Sequence, residues 1–254
     1  MEAFTYQILQ SVEDHHWWYV SRWNLVRAEL ESVFPGRKHL RILDIGCGTG
    51  GTTRRLEDLG EVIGVDPEPL AVAASRTKVR NAQIIQAPAT EIDTLFAPES
   101  FDLITFFHVL YHRNTGPEDE IVAKVARLLK PGGILLATEP AFRMLMREHD
   151  VVDMGKTRYT LRDFMNVFEQ CGLVYRSGRY FNSLAFPPCL LSAGMHRLFS
   201  TNQEKAGTLD ELKIPAPWLN RLMIRVMGWE ARLSRICSPP LGVSLIAIGQ
   251  KHAP

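Results

Sequence analysis

The chain has 254 residues, of which 46 % are hydrophobic, and a formal net charge of +1. This composition supports a sizeable core and excludes a disordered chain, and the low charge excludes bulk attraction to nucleic acid. Its four cysteines lie far apart without a C-x-x-C pair, which argues against a zinc site or a disulfide framework. The first residues lack a signal-peptide pattern, and no apolar run approaches the roughly 20 residues that span a bilayer. We therefore expect a cytoplasmic α/β protein.

Helix and strand patterns alternate along the chain. One helix is predicted over 4–34, where Pro35-Gly36 stops it. Seven apolar segments predict strands, at 40–45, 61–66, 82–86, 101–107, 131–139, 172–182 and 242–251. Further helices are predicted after the glycines at 46–51 as far as Gly60, after Asp66-Pro67, over 116–130, and from a Thr160–Asp163 capping box to Gly172. This alternation predicts a parallel sheet with helices on both faces.

About 60 residues, 183–242, separate the sixth and seventh predicted strands. They are rich in proline, leucine and methionine and are too long for a plain loop. We interpret 183–242 as an inserted helical cap and 1–36 as an N-terminal helical lid. Residues 37–182 and 243–254 then form the core domain.

The segment "LRILDIGCGTGG", residues 40–51, fits two glycine-rich loops. Gly46, Gly48 and Gly51 match the dinucleotide pattern G-x-G-x-x-G, which is weak evidence when it stands alone. Asp44 also precedes the glycines, and its carboxylate would repel a pyrophosphate placed at this loop. The same charge suits the sulfonium and ammonium groups of S-adenosylmethionine. Asp44 therefore favours S-adenosylmethionine over a nicotinamide dinucleotide.

Four segments carry a family resemblance. "LRILDIGCGTG", "VIGVD", "FDLITFFHVLYH" and "VARLLKPGGILLATE" resemble, in order, the motifs of class I S-adenosylmethionine-dependent methyltransferases over residues 40–140. The resemblance implies a Rossmann-like, seven-stranded sheet whose last strand is antiparallel. The flanking segments "HHWWYVSRW", "REHDVVDMGKTRYT", "YFNSLAFPP" and "SPPLGVSLIAIG" resemble a bacterial small-molecule subgroup, and this second resemblance names no substrate.

The resemblance also implies a cofactor site. It places the backbone of Gly46, Cys47 and Gly48 at the methionine end, Asp66 at the ribose hydroxyls, and the backbone of Phe106 and Phe107 at the ammonium group. Asp66 followed by Pro67 also fits a plain helix cap. Family members usually have an acid after the third strand, but this chain has Pro88, so we expect Ala89 to meet the adenine. We expect Tyr19 and Arg22 to reach the cofactor, with Arg22 at its carboxylate.

The catalytic candidates are His108, His112 and the pair His149-Asp150, which follow the fourth and fifth strands. The i, i+4 spacing would place the first two on one face of a helical turn, as bases or as packed side chains. No third ligand is evident, so we expect no metal. Trp17, Trp18, Arg158 and Tyr159 are the predicted substrate-binding residues. The alternatives are core packing for the tryptophans and an exposed turn for the other two.

We predict a methyltransferase that acts on an apolar small molecule or lipid intermediate, by O-methylation. The alternatives are a catalytically silent S-adenosylmethionine-binding scaffold and a dinucleotide-dependent oxidoreductase. No nucleic-acid partner is expected, because no basic, aromatic-interleaved stripe is present. The oligomeric state stays open.

The segment 217–236 predicts an amphipathic helix. Its predicted apolar face comprises Leu219, Leu222, Met223, Val226, Trp229 and Leu233, and a second face carries Arg221, Arg225, Arg232 and Arg235. The arginines suggest weak, peripheral association with an anionic membrane surface or a phosphate-bearing lipid. An ordinary solvated basic face is the alternative.

Overall fold

The computed structural model of the protein describes residues 3–146, 150, 154–199, 213–234 and 238–253. Seven strands form one sheet: β1 (Leu40–Ile45), β2 (Gly60–Asp66), β3 (Gln83–Gln86), β4 (Phe101–Phe107), β5 (Leu129–Pro140), β6 (Leu173–Phe181) and β7 (Ser244–Lys251). Their order is β3-β2-β1-β4-β5-β7-β6, and β7 is antiparallel to both of its neighbours. This confirms the predicted fold.

The described helices are α1 (Ala3–Val12), α2 (Trp17–Val33), α3 (Gly51–Leu56), α4 (Pro69–Lys78), α5 (Ile92–Leu95), α6 (Glu118–Leu128), α7 (Leu161–Gln170), α8 (Phe186–Phe199) and α9 (Pro217–Leu233). The predicted capping box at the start of α7 is present, with Thr160 and Asp163 bonded reciprocally. Among the described residues, no helix has both the length and the hydropathy that crossing a bilayer requires.

The core has two layers, one on each face of the sheet. Side chains alternate along β1, so Ile42 packs on one face with Leu25 and Leu30 of α2, while Leu43 packs on the other. The second layer also includes Ile121 and Val125 of α6. Because both faces are covered, the carboxyl ends of the parallel strands provide the edge at which a site can open.

The predicted single helix over 4–34 is wrong, because the chain breaks into α1 and α2. His16 caps α2, and its Nδ1 accepts a hydrogen bond from the Trp18 backbone N–H at 3.2 Å. Helix α2 is also tied to the sheet, because Glu29 and Arg179 of β6 form a buried ion pair at 2.6 Å. Most of α2 is therefore a core helix, and only its first turns are placed to serve as a lid.

Predicted boundaries also differ. Helix α3 ends at Leu56, and Gly60 is the first residue of β2. Helix α4 begins at Pro69, not at Pro67 with Asp66 as its cap, because the Asp66 carboxylate accepts the Glu68 N–H in a tight turn.

The predicted apolar face of α9 is wrong in part. The buried side of the helix carries Met227 and Asn220, while Leu222, Trp229 and Leu233 are exposed. Asn220 is buried because it bridges the α1–α2 junction, where its Oδ1 accepts the Trp17 N–H and its Nδ2 donates to the His15 carbonyl, both at 2.8 Å. Arg235 lies outside the described residues. The boundaries of the lid and the cap stay predictions.

Candidate active site

A cavity of about 840 Å³ opens at the carboxyl edge of the sheet. Its walls come from the turns after β1, β2, β3 and β4, from α1 and the start of α2, and from α9. This volume lies in the upper part of the range for small-molecule sites. Of the predicted site residues, those that line it are Trp17, Trp18, Tyr19, Arg22, Asp44, Gly46, Cys47, Gly48, Asp66, Pro67, Ala89, Phe107, His108, His112, Asp150 and Arg158.

The glycine loop after β1 exposes its backbone to the cavity. Gly46 and Gly48 have positive φ angles of 71° and 54°, which side-chain-bearing residues rarely adopt. A Cβ at Gly48 would meet no atom within 4 Å, while one at Gly46 would collide with Val109 in the turn after β4. The loop therefore leaves room for a ligand on one side and packs against the next turn on the other. Burial raises the pKa of the Cys47 thiol, so Cys47 stays neutral.

Asp66 ends β2 at the cavity wall. Its Oδ2 accepts the Gly48 N–H at 2.9 Å, and its Oδ1 accepts the Glu68 N–H at 3.0 Å. A carboxylate has about four acceptor positions, so each oxygen keeps one for a ligand hydroxyl. Burial raises the pKa of Asp66. The arrangement fits a ribose with two adjacent hydroxyls.

Asp44 and Arg22 place opposite charges near the glycine loop. The Asp44 carboxylate accepts hydrogen bonds from the hydroxyls of Thr53 and Thr105 at 2.7 and 2.8 Å. Burial raises its pKa to about 6, which leaves it mainly ionised at neutral pH. The Arg22 guanidinium lies 5.7 Å from the centre of the Phe107 ring. A carboxylate and a guanidinium that line one cavity fit the ammonium and carboxylate groups of a zwitterionic ligand.

Two residues predicted in the site do not line the cavity. Phe106 is fully buried, and its backbone is paired with β1 and β5. Tyr159 is packed on Phe164, and its hydroxyl lies 2.6 Å from Glu118 Oε1 and 2.9 Å from the Leu110 carbonyl oxygen. Both side chains face the core layer of α6 and α7, which sequence spacing did not reveal. His149 lies outside the described residues.

The turn after β4 carries both histidines, but it is not helical as predicted. His108 has a φ of 61°, and its backbone N–H donates to Thr138 of β5 at 2.8 Å. Burial lowers the pKa of His108 well below its usual value, and its Nε2 has no hydrogen-bond partner among the described residues. Strained backbone of this kind clusters at functional sites. His108 is therefore a neutral imidazole at the cavity wall.

Glu139 fixes this turn, and sequence reasoning missed it. Its Oε1 accepts the backbone N–H groups of Val109 and Leu110 at 2.9 and 2.8 Å. Burial raises its pKa to about 8, so the carboxyl group is mainly protonated at neutral pH. A polar residue at the end of an apolar strand was the available signal.

Asp150 and Arg158 form a buried ion pair at the cavity wall. Arg158 Nε and Nη2 each donate to one Asp150 oxygen at 3.0 Å. The exposed turn considered for Arg158 is thus wrong, because the side chain is 6 % exposed. Both Asp150 oxygens are held by the guanidinium, so Asp150 and Arg158 line the cavity as one ion pair, and the predicted site role of Asp150 stays a prediction.

The far end of the cavity is apolar. Helix α9 contributes Met223 and Met227, and the cap segment before it contributes Leu184 and Pro188. Trp18 packs against the cluster of Leu145, Phe186 and Val243, and its ring lies 6.4 Å from the His108 ring, edge to face. The cavity thus joins a charged end near the glycine loop to an apolar end under the cap.

Comparisons with known proteins agree with this architecture. Residues 43–137 match the family model described as a methyltransferase domain. The chain contains a methyltransferase domain. The chain is 33 % identical over 141 residues to the ubiquinone/menaquinone biosynthesis C-methyltransferase UbiE of Pseudomonas aeruginosa (strain LESB58). The aligned residues cover 50 % of this chain and 52 % of that protein.

A second relative is named for a different activity. The ubiquinone biosynthesis O-methyltransferase of Rhodopseudomonas palustris (strain BisB5) is 34 % identical over 99 residues, 38 % of each chain. The chain thus spans about half the length, or less, of these curated relatives. The methyltransferase solved in complex with the Haloferax volcanii Trm112 activator has a TM-score of 0.63 at 17 % identity, over 99 % of this chain and 95 % of that one, which shows the fold.

The family match over residues 43–137 confirms the predicted methyltransferase domain, whose cofactor is S-adenosylmethionine, and the order of the sheet confirms the class I fold. The comparisons do not distinguish transfer to oxygen from transfer to carbon, because the two relatives are named for different atoms.

The methyltransferase domain is closed on one side by a contact that sequence reasoning missed. Glu13, just after α1, accepts hydrogen bonds from the Thr49 hydroxyl and from Lys78 Nζ at 2.7 and 2.6 Å. A Cβ at Gly51 would collide with the Glu13 carboxylate, so this acid lies against the N-terminus of α3. The N-terminal segment is thereby held over the glycine loop. Only the fold places residue 13 beside residues 49 and 78.

Proposed function

We propose that this protein is an S-adenosylmethionine-dependent methyltransferase that methylates an oxygen of an apolar, ring-bearing acceptor. One observation carries the proposal. A single cavity joins the glycine loop and its two acids to apolar side chains, and it is also lined by His108, whose Nε2 has no partner within the described part of the chain.

The cofactor roles follow from the contacts. Asp66 binds the ribose hydroxyls, Asp44 faces the ammonium group, and Arg22 faces the carboxylate. The backbone of the glycine loop, with Pro67, Ala89, Tyr19 and Phe107, encloses the remainder. When bound, S-adenosylmethionine supplies a methyl group already activated on a sulfonium. The chain then has to orient an acceptor at roughly 3–3.5 Å and exclude water, and orientation alone contributes as much as ~7–11 kcal/mol.

A hydroxyl acceptor also has to lose a proton. His108 is neutral and lines the cavity, and no described residue bonds its Nε2, so we assign this nitrogen as the acceptor of that proton. General-base catalysis of this kind contributes about 10²–10⁴-fold. His112 lines the same wall and is the second candidate.

The acceptor class follows from the apolar end. Met223, Met227 and Trp18 present soft and flat surfaces that suit an aromatic or quinonoid ring. Both relatives are named for quinone biosynthesis, which supports an acceptor with a ring of this type. The Asp150–Arg158 ion pair lines the same cavity, and we assign it to a polar substituent of the acceptor. We also propose that the protein meets this acceptor at an anionic membrane surface. In this proposal α1 and the first turns of α2 form the lid, and 183–242 forms the cap.

The test is turnover with methyl-labelled S-adenosylmethionine and a panel of phenols, catechols and reduced quinones. We expect label in an ether of a ring hydroxyl, and none with hydrophilic alcohols. A labelled methyl group on a ring carbon would contradict O-methylation and show C-methylation instead. Binding of S-adenosylhomocysteine without turnover of any acceptor would favour the silent scaffold.

A further inference from the structure

The outward face of α9 carries large apolar side chains that nothing described covers. Trp218 and Trp229 are 65 % and 76 % exposed, and Leu222 and Leu233 are also exposed. At 3.6 residues per turn, these four positions fall within a sector of about 60°. Two tryptophans and two leucines thus form one continuous strip on a single helix.

A row of arginines borders this strip. Arg221, Arg225 and Arg232 are exposed and occupy the adjoining sector of about 40°. The single acid of the helix is Glu230, and its carboxylate is held by the backbone N–H groups of Ser183 and Leu184 at 2.8 and 3.4 Å. The outward face is therefore both apolar and positively charged.

The opposite side of the same helix belongs to the active site. Met223 and Met227 line the cavity, and Asn220 anchors the helix to the α1–α2 junction. One helix, roughly 10 Å in diameter, thus separates the exposed strip from the cavity.

We propose that the face defined by Trp218, Leu222, Trp229 and Leu233 with Arg221, Arg225 and Arg232 docks on the anionic headgroup layer of a phospholipid bilayer. Indole rings favour this layer because one edge is polar and the remainder apolar. Arginines beside an apolar strip supply the attraction to anionic lipid. Charge complementarity selects this occupant over a second copy of the chain, since a symmetric contact would bring the arginine rows together.

Docking in this orientation places the cap against the bilayer. The acceptor is then a lipid-soluble molecule that enters the cavity past α9 without crossing water. This last step rests on the proposed function, whereas the docking itself does not.

Vesicle co-sedimentation of the full chain tests the docking. The probes are phosphatidylcholine vesicles with and without phosphatidylglycerol. We expect binding that requires phosphatidylglycerol and weakens with salt. Each arginine strengthens such binding about fivefold, so Arg221→Gln, Arg225→Gln and Arg232→Gln together should weaken it about a hundredfold. The double variant Trp218→Ser, Trp229→Ser should also weaken vesicle binding, and it should do so even at low salt.

Matched controls separate this result from misfolding and from the proposed function. Arg162→Gln on α7 and Leu95→Ser on α5 also remove exposed side chains and should leave vesicle binding unchanged. Every variant should still bind S-adenosylhomocysteine by calorimetry. Absence of binding to both vesicle types overturns the docking proposal. A dimer of the wild type that light scattering detects, and that the two tryptophan substitutions dissociate, overturns it as well. Failure to transfer methyl groups, with vesicle binding intact, contradicts only the proposed function.

Discussion

The two ends of the cavity are built by different means. At the cofactor end, neighbours in sequence do most of the work: the glycine loop, Asp44 and Asp66 lie within 23 residues along the chain. At the acceptor end, His108, Met223 and Trp18 come from three distant segments. A motif can specify the first end, whereas only the assembled fold creates the second.

The two ends also differ in charge. The cofactor end holds ionised groups against backbone N–H groups and hydroxyls, as a zwitterionic ligand requires. The acceptor end offers apolar side chains and a neutral imidazole. The two ends touch, because a Cβ at Gly46 would collide with Val109. Because the two ends differ in charge, we still expect substitutions at the cofactor end to change cofactor affinity and substitutions at the acceptor end to change the rate of methyl transfer.

The largest effect is expected at the acceptor end. His108→Asn should lower methyl transfer by about 10²–10⁴-fold, because it removes the proposed base. Asparagine tolerates the positive φ of this position, so the backbone should persist. Initial rates with the acceptor identified from the panel measure the loss.

Calorimetry with S-adenosylhomocysteine completes the test of His108→Asn. Its affinity should be unchanged, and the matched control His252→Asn, at an exposed position, should alter neither quantity. A variant of His108 that keeps its full rate would remove the base from the proposed mechanism.

The next effect is expected at the cofactor end. Asp66→Ala should weaken S-adenosylhomocysteine about a hundredfold, because hydrogen bonds to a charged group contribute about 1.5–3 kcal/mol each. The control is Glu68→Ala, which removes a carboxylate two residues away. The Glu68 side chain makes no capping hydrogen bond to α4, so this change should have little effect on the affinity for S-adenosylhomocysteine. Equal losses in the two variants would mean that general charge, and not the ribose contact, matters here.

The sequence predicted what depends on local patterns. All seven strands and the antiparallel β7 follow from apolar runs, glycines and the family resemblance, while the roles of Asp44 and Asp66 stay predictions. Glu13 and Glu139 were missed because their partners lie in other elements, brought close by folding. The face of α9 was misassigned because Asn220 binds backbone groups of the α1–α2 junction, a contact that hydrophobic periodicity does not reveal.

The smallest effect concerns Glu139, which supports the acceptor end without touching the cavity. Its folded-state pKa of about 8 lies above the usual value of 4.5, so the folded state binds the proton more tightly than the unfolded state. The stability that this gives is fully present below pH 4.5 and is lost as the pH rises to 8, by about 1.4 kcal/mol per pH unit. Glu139→Gln keeps an acceptor for the Val109 and Leu110 N–H groups but cannot ionise. Between pH 6 and 8, the Tm of the wild type should therefore fall relative to that of Glu139→Gln, by roughly 2–4 °C per kcal/mol. Calorimetric melting curves at the two pH values measure this difference, with the exposed Glu31→Gln as the control that should show none. Parallel curves for wild type and Glu139→Gln would mean that Glu139 is ionised in the folded protein and that its two backbone contacts already hold a charge.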